Sequence, residues 1–223
     1  MNAFYSGDAL LIVDVQKDFC PGGALAIEKG DRIIPNLNHW IEKASQAGIP
    51  VYASRDWHPA GHLSFKKQGG PWPAHCLQDS DGAEFHPELR LPDNVVKITK
   101  GVRLDHDQNS VFDRTGLAER LKREGVQRLF IGGLALDFCV LASVLDARKA
   151  GFEVQLIGDA VRPANKKEGR EALSKIEESG AEIATTDALI TEVDACQKAP
   201  EWAEHARFED TDQPCDDGRS GKI

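Results

Sequence analysis

Apolar residues along the chain fall into two periods, and their alternation predicts the architecture. Residues 9–15, ALLIVDV, form a near-continuous apolar run of the kind seen in a strand buried on both faces. Further short runs at 50–54 (PVYAS), 95–99 (VVKIT), 128–131 (RLFI), 152–160 (FEVQLIGDA) and 181–186 (AEIATT) predict five more strands. Between them the period changes to that of a helix. Residues 31–47 carry apolar positions at helical spacing, 117–125 supports a short helix, and 166–180 is amphipathic. A further helix is expected around 187–192. Residues 77–92 and 103–116 are polar, carry no period and read as surface excursions. Strands alternating with helices imply an α/β fold: a three-layer α/β/α arrangement around a six-stranded, mostly parallel sheet.

The stretch from Arg128 to Gly151 is the centre of this pattern. RLFI leads through Gly132 and Gly133 into a helix for which Asp137 is a good N-cap, and Cys139 falls in that helix's first turn. Unpaired N–H groups and the positive end of the helix dipole favour a thiolate there, and the same N–H groups can hold an oxyanion. Taken alone, a buried structural cysteine explains this residue as well.

Other chemistry-bearing residues sit at corresponding positions. Asp14 ends the first strand, where a carboxylate is costly to bury unless paired. Asp56 and His58 follow the second strand two residues apart, so both project to one side and can grip one metal ion. His75, in the loop GGPWPAHC, completes an O,N,N set that does not choose among zinc, manganese and iron. His62 is a further ligand or a partner of one. Lys100 ends the third strand. Trp57 and Trp72 flank the ligands, Phe19 and Cys20 follow the first strand, and Ser110 and Phe112 lie in a polar loop. Each is a candidate pocket wall or ordinary packing. Asp14, the Asp56 and His58 pair, Lys100 and Cys139 thus all lie at carboxyl ends of different strands, where open α/β sheets bind ligands.

Composition narrows the partners. The 223 residues fit one domain, taken as 1–195, followed by an acidic polar tail, 196–223. A net charge of −9 and the lack of a basic stripe argue against nucleic acid. No apolar run is long enough to span a membrane, and the opening residues lack a basic secretory n-region, so a cytoplasmic protein is expected. Five widely spaced cysteines with no CxxC pair suggest reduced thiols rather than a disulfide framework.

The segments DVQKDFCPGGAL, RDWHPAGHLSF, GPWPAHC with GAEFHP, TKG and GLALDFCV resemble, in order and spacing, the nicotinamidase branch of the isochorismatase-like cysteine hydrolases. The resemblance runs from about Asp8 to Ile190. It implies a catalytic triad of Asp14, Lys100 and Cys139 and one divalent metal ion, zinc before manganese or iron, on Asp56, His58 and His75. It places a cis peptide between Leu134 and Ala135, an oxyanion hole in the N–H groups of Ala135 and Cys139, and a pyridine ring against Phe19, Trp72, Leu134 and Ala135.

The activity implied is deamidation of a pyridine carboxamide, nicotinamide, to nicotinate and ammonia through a thioester, in NAD salvage. The rivals are an amidase of the same superfamily acting on a carbamoyl or ureido group, a metal hydrolase with water as nucleophile, and a binding module. Two departures touch the pocket. Leu136 and Phe138 stand where threonine and tyrosine are usual, and Asn109 precedes Ser110 where tyrosine is usual. Assembly into a homo-oligomer is left open.

Overall fold

A computed structural model describes residues 4–187. The expected helix at 187–192 therefore lies almost wholly outside the described residues, as do the boundary at 195 and the acidic tail. Among the described residues there are six strands: β1 (Asp8–Val13), β2 (Val51–Asp56), β3 (Val96–Lys100), β4 (Arg128–Leu134), β5 (Glu153–Arg162) and β6 (Glu182–Ala184). They form one sheet in the order β3-β2-β1-β4-β5-β6, and every pairing is parallel.

The helices are α1 (Ile34–Gln46), α2 (Leu117–Arg123), α3 (Leu141–Lys149) and α4 (Lys166–Glu178). A 3-10 turn over Gly30–Ile33 precedes α1, and Pro35 sits in its first turn, where a missing N–H costs nothing.

All six residues of β1 are buried, because both faces of the sheet are covered. Ala9, Leu11 and Val13 join a cluster with Leu117, Leu121, Val144 and Ile176 of α2, α3 and α4. Leu10 and Ile12 point the other way, into a cluster with Leu37, Trp40 and Ile41 of α1. Each such side chain contributes roughly 1.5–3 kcal/mol by leaving water. These two clusters hold the three layers together.

The strand order places a topological switch between β1 and β4, since the chain builds outward from β1 in both directions. Gly133 lies at that switch with φ +130°, and a Cβ there would stand 2.0 Å from the Val13 carbonyl oxygen, so no larger residue fits. The next peptide bond, Leu134–Ala135, is cis.

Beyond it the chain makes one wide π-type turn, Leu136–Val140, and continues as α3. Asp137 is not its N-cap. The Asp137 carboxylate instead accepts from the backbone N–H groups of Ala164 (2.8 Å) and Asn165 (2.9 Å), tying this turn to the start of α4. The capping expectation fails because partners distant in sequence compete for that side chain.

Candidate active site

Four buried side chains meet at the carboxyl ends of β1 to β4. Asp14 follows β1 with φ +48°; its N–H points to the Ser54 carbonyl, and the Ser54 hydroxyl donates to its Oδ1 at 2.7 Å. Lys100, the last residue of β3, is fully buried. Its Nζ donates to Asp56 Oδ1 at 2.7 Å and to Cys139 Sγ at 3.4 Å, and it lies 2.8 Å from Asp14 Oδ2. An isolated buried ammonium would cost several kcal/mol, and two carboxylates offset that cost here.

The charges settle accordingly. Burial opposes the Lys100 ammonium, but Asp14 and Asp56 override it and hold its pKa well above the ordinary lysine value. Burial also works against the Asp56 carboxylate, yet Lys100 and His58 pull its pKa well below the usual carboxylate range. Asp14 is pushed up, by burial first and by Asp56, with Lys100 opposing.

For Cys139, burial raises the pKa well above that of a free thiol, Lys100 opposes, and Asp14 and Asp56 add to the rise. Desolvation thus opposes the thiolate that the helix end was expected to favour, and the Lys100 ammonium is the group that supports it. The Asp14 carboxylate is the acceptor at hand for the thiol proton, its oxygen and the Cys139 sulfur lying within 4.8 Å.

Beside this cluster, the ligand atoms of Asp56, His58 and His75 also lie within 4.8 Å of one another, all buried. His58 Nδ1 is hydrogen-bonded to the Gly101 carbonyl (2.9 Å) and His75 Nδ1 to the Pro73 carbonyl (2.8 Å). A carbonyl only accepts, so each Nδ1 carries the hydrogen and each Nε2 is left to bind a cation. His58 Nε2 stands 3.6 Å from Asp56 Oδ2. Burial opposes charge on His58 but Asp56 wins, raising its pKa, whereas burial keeps that of His75 low. The set fits a divalent metal ion.

His62 is not part of it. Its Nδ1 pairs with Ser64 Oγ (2.8 Å), its Nε2 faces the His106 carbonyl (3.3 Å), and its ring stacks on His58 at 4.1 Å between centroids.

A cavity of about 270 Å³ opens on both groups. Asp56, His58, His75, Ala135 and Cys139 line it, with Phe19 and Trp72 as aromatic walls. Leu134 is not among the residues that line it; its side chain is fully buried in the α1-side core. Trp57 packs under Arg55 (3.9 Å), Cys20 is core, and Phe112 packs on Phe152, so none of these is a wall. Ser110 is buried off the cavity, whereas Asn109 lines it. Of the two departures in the cysteine motif, Phe138 lines the cavity edge-on to Trp72 (5.3 Å), and Leu136 is core.

Sequence reasoning missed the residues that hold the ligands in place. Gln16, fully buried, accepts from the Asp56 N–H (2.8 Å) and donates to the Asp56 carbonyl (2.8 Å) and the Ala83 carbonyl (2.7 Å). Asp18 accepts from the Cys76 N–H (2.7 Å), next to His75. Leu25, Ala26, Ile27, Ser64, Asp107 and Ala164 complete the lining. The available signal for Gln16 was a polar residue next to Val15, at the end of the apolar run that carries Asp14.

A wholly parallel sheet with an acid, a lysine and a cysteine buried at its switch point is the architecture of an isochorismatase-like cysteine hydrolase. The chain belongs to this family: residues 8–188 match the isochorismatase domain. It is 38% identical over 178 residues to the nicotinamidase of Escherichia coli K12, covering 70% of this chain and 84% of that one. It is 39% identical over 176 residues to the nicotinamidase of Acinetobacter baylyi, covering 69% and 80%.

Among solved structures, Pyrococcus horikoshii pyrazinamidase in complex with zinc superimposes with a TM-score of 0.78 at 44% identity, covering 80% of this chain and 99% of that one. PnC1 from L. infantum in complex with nicotinate gives a TM-score of 0.76 at 35% identity, covering 82% and 94%.

Proposed function

We propose that the protein is a metal-dependent cysteine amidohydrolase that converts nicotinamide to nicotinate and ammonia. Nicotinamidases among its relatives and a nicotinate-bound structural neighbour support this reading. The observation that carries it for this chain is the shared cavity, in which Cys139 faces the Asp56, His58 and His75 set across a space walled by Phe19 and Trp72.

In the mechanism we assign, Asp14 takes the Cys139 thiol proton and the sulfur attacks the carboxamide carbon. The N–H groups of Ala135 and Cys139 hold the resulting oxyanion. Asp14 returns the proton to the departing nitrogen, ammonia leaves, and the acyl group remains as a thioester on Cys139. Water then cleaves the thioester: Asp14 accepts one water proton and passes it to the departing Cys139 sulfur, and the acid product loses the other to solvent, giving nicotinate and the free thiol. Lys100 keeps both acids oriented throughout. When bound to Asp56, His58 and His75, a divalent ion supplies a Lewis acid that anchors the pyridine nitrogen and so orients the amide.

We assign zinc over manganese and iron, because two imidazoles and a carboxylate with open positions are a common catalytic zinc set and a zinc-bound relative superimposes. The role follows as NAD salvage in the cytoplasm, where the free Cys20, Cys76 and Cys139 stay reduced. Ammonia release from nicotinamide, on protein of measured metal content, tests the reading. Turnover proportional to bound metal is expected; full turnover of a carbamoyl compound with none of nicotinamide would overturn it.

A further inference from the structure

Two sets of metal-ligating atoms overlap at Asp56. One is Asp56, His58 and His75; the other is Asp14, Asp56 and Cys139, whose ligand atoms likewise lie within 4.8 Å of one another. The second set is buried and offers two carboxylates and a sulfur, a donor combination to which thiophilic cations such as zinc and cobalt bind readily. A cation already stands among these three groups. Lys100 Nζ lies 2.8 Å from Asp14 Oδ2, 2.7 Å from Asp56 Oδ1 and 3.4 Å from Cys139 Sγ.

We infer that Lys100 is a resident cation that keeps thiophilic divalent metal out of the Asp14, Asp56 and Cys139 set and confines it to Asp56, His58 and His75. The inference rests on the functional reading of Asp56, His58 and His75 as the metal centre and of Cys139 as the nucleophile. Lys100 engages Asp56 Oδ1 and leaves Oδ2 facing His58, so one carboxylate serves two cations without merging their sites. Metal entry would follow the balance Cys139–SH + M²⁺ → Cys139–S–M⁺ + H⁺, with the proton going to solvent. The sulfur lone pair needed for attack on the amide would then be spent on the metal. An ammonium cannot form that bond, yet it supplies the positive charge the two acids require and repels a dication at such short range.

The test is a cobalt titration of full-length, metal-stripped protein, read as equivalents bound and as thiolate-to-cobalt absorption that depends on Cys139. Wild type is expected to bind one equivalent and show no such absorption. Lys100→Met should bind two and show it, and Lys100→Met with Cys139→Ser should lose it. One equivalent and no absorption in Lys100→Met overturns the inference, as does Cys139-dependent absorption in saturated wild type.

Lys100→Met leaves two buried acids uncompensated, so this variant is also refolded with cobalt present. Cobalt should restore it by replacing the lost charge, and a chain that stays unfolded at saturating cobalt counts against the proposal. Lys100→Arg, which keeps the charge, should bind one equivalent of cobalt without that absorption, whatever its turnover; Cys139-dependent absorption in it overturns the inference. Wild type that binds no cobalt sinks the functional reading of Asp56, His58 and His75 instead, and the absorption of Lys100→Met then decides the role of Lys100 separately.

Discussion

The carboxylate of Asp56 is divided between Lys100 and His58: Oδ1 accepts from Lys100 Nζ at 2.7 Å, and Oδ2 stands 3.6 Å from His58 Nε2. The acid therefore belongs at once to the cluster around Cys139 and to the metal-ligating set. Asp56→Asn keeps the shape and removes the charge from both. Metal affinity should fall by at least about 100-fold, beyond the usual loss for a residue that only supports a ligand. Stability should fall as well, by less than the roughly 3–5 kcal/mol typical of a broken buried pair, because Asp14 still faces Lys100. Metal content and urea unfolding measure the two effects, and retention of tight metal binding would remove Asp56 from the ligand set.

Cys139→Ala separates the chemistry from the metal. The sulfur is not one of the atoms of the Asp56, His58 and His75 set, so that set should keep its affinity. Ammonia release should drop by roughly 10⁴-fold or more, the scale on which loss of a nucleophile is felt. Near-normal turnover would end the nucleophile assignment.

Gly101→Ala tests how the histidine is held. Gly101 has φ +68°, and a Cβ there would stand 2.4 Å from His58 Cε1 and 2.6 Å from Nδ1. The ring must move, and the bond from Nδ1–H to the Gly101 carbonyl, which leaves Nε2 to the metal, is disturbed. Loss of such support typically costs about 10–100-fold in metal affinity, and the left-handed backbone adds roughly 1–2 kcal/mol of strain. Chelator competition checks the first and thermal unfolding the second. Unchanged metal affinity would show that the carbonyl does not set the His58 tautomer.

Metal removal should leave the fold intact, because the Lys100 pairs and the carbonyl bonds of both histidines are bonds within the protein. The stripped protein should lose only the linkage term, about 2.7 kcal/mol relative to protein at a free-metal concentration 100 times the dissociation constant. Its KM for nicotinamide should rise steeply. Melting temperature against free zinc reads the first and initial rates the second; a KM indifferent to metal would refute the anchoring of the ring nitrogen.

These features differ in how plainly the chain announces them. Asp14, Asp56 and Lys100 were legible because each is a polar residue at or just past the end of an apolar run, and Cys139 because it opens the helix that follows one; strand ends in a parallel sheet converge by topology. Asp137 misled because its neighbours in sequence suggest a cap, whereas its partners at Ala164 and Asn165 are 27 and 28 residues away. The loop after β3 was opaque for the same reason. Gln108 donates to the Asp113 carbonyl and accepts from the Gly101 N–H, setting a path that carries Asp107 and Asn109 to the cavity without any periodic pattern. Leu134 shows the converse: proximity in sequence to Ala135 suggested a shared wall, but its side chain points into the core.

The amino-terminal half of β2 offers a test independent of catalysis. The Tyr52 hydroxyl donates to Glu124, with Arg120 beside the ring, and burial together with that bond pushes the Tyr52 pKa up from 10.0 to about 12. The protonated phenol is thus favoured in the folded chain. Its contribution is fully present below pH 10, where the unfolded phenol is also protonated, and is lost as pH rises to about 12. The ceiling on that loss is about 2.7 kcal/mol, two pKa units at 1.36 kcal/mol each. Tyr52→Phe should cost roughly 0.5–1.5 kcal/mol at neutral pH, the net worth of one hydrogen bond, and should unfold with a shallower pH dependence above pH 10. Urea unfolding of both proteins across that interval decides it, and parallel curves would show that the bond to Glu124 does not favour the neutral phenol.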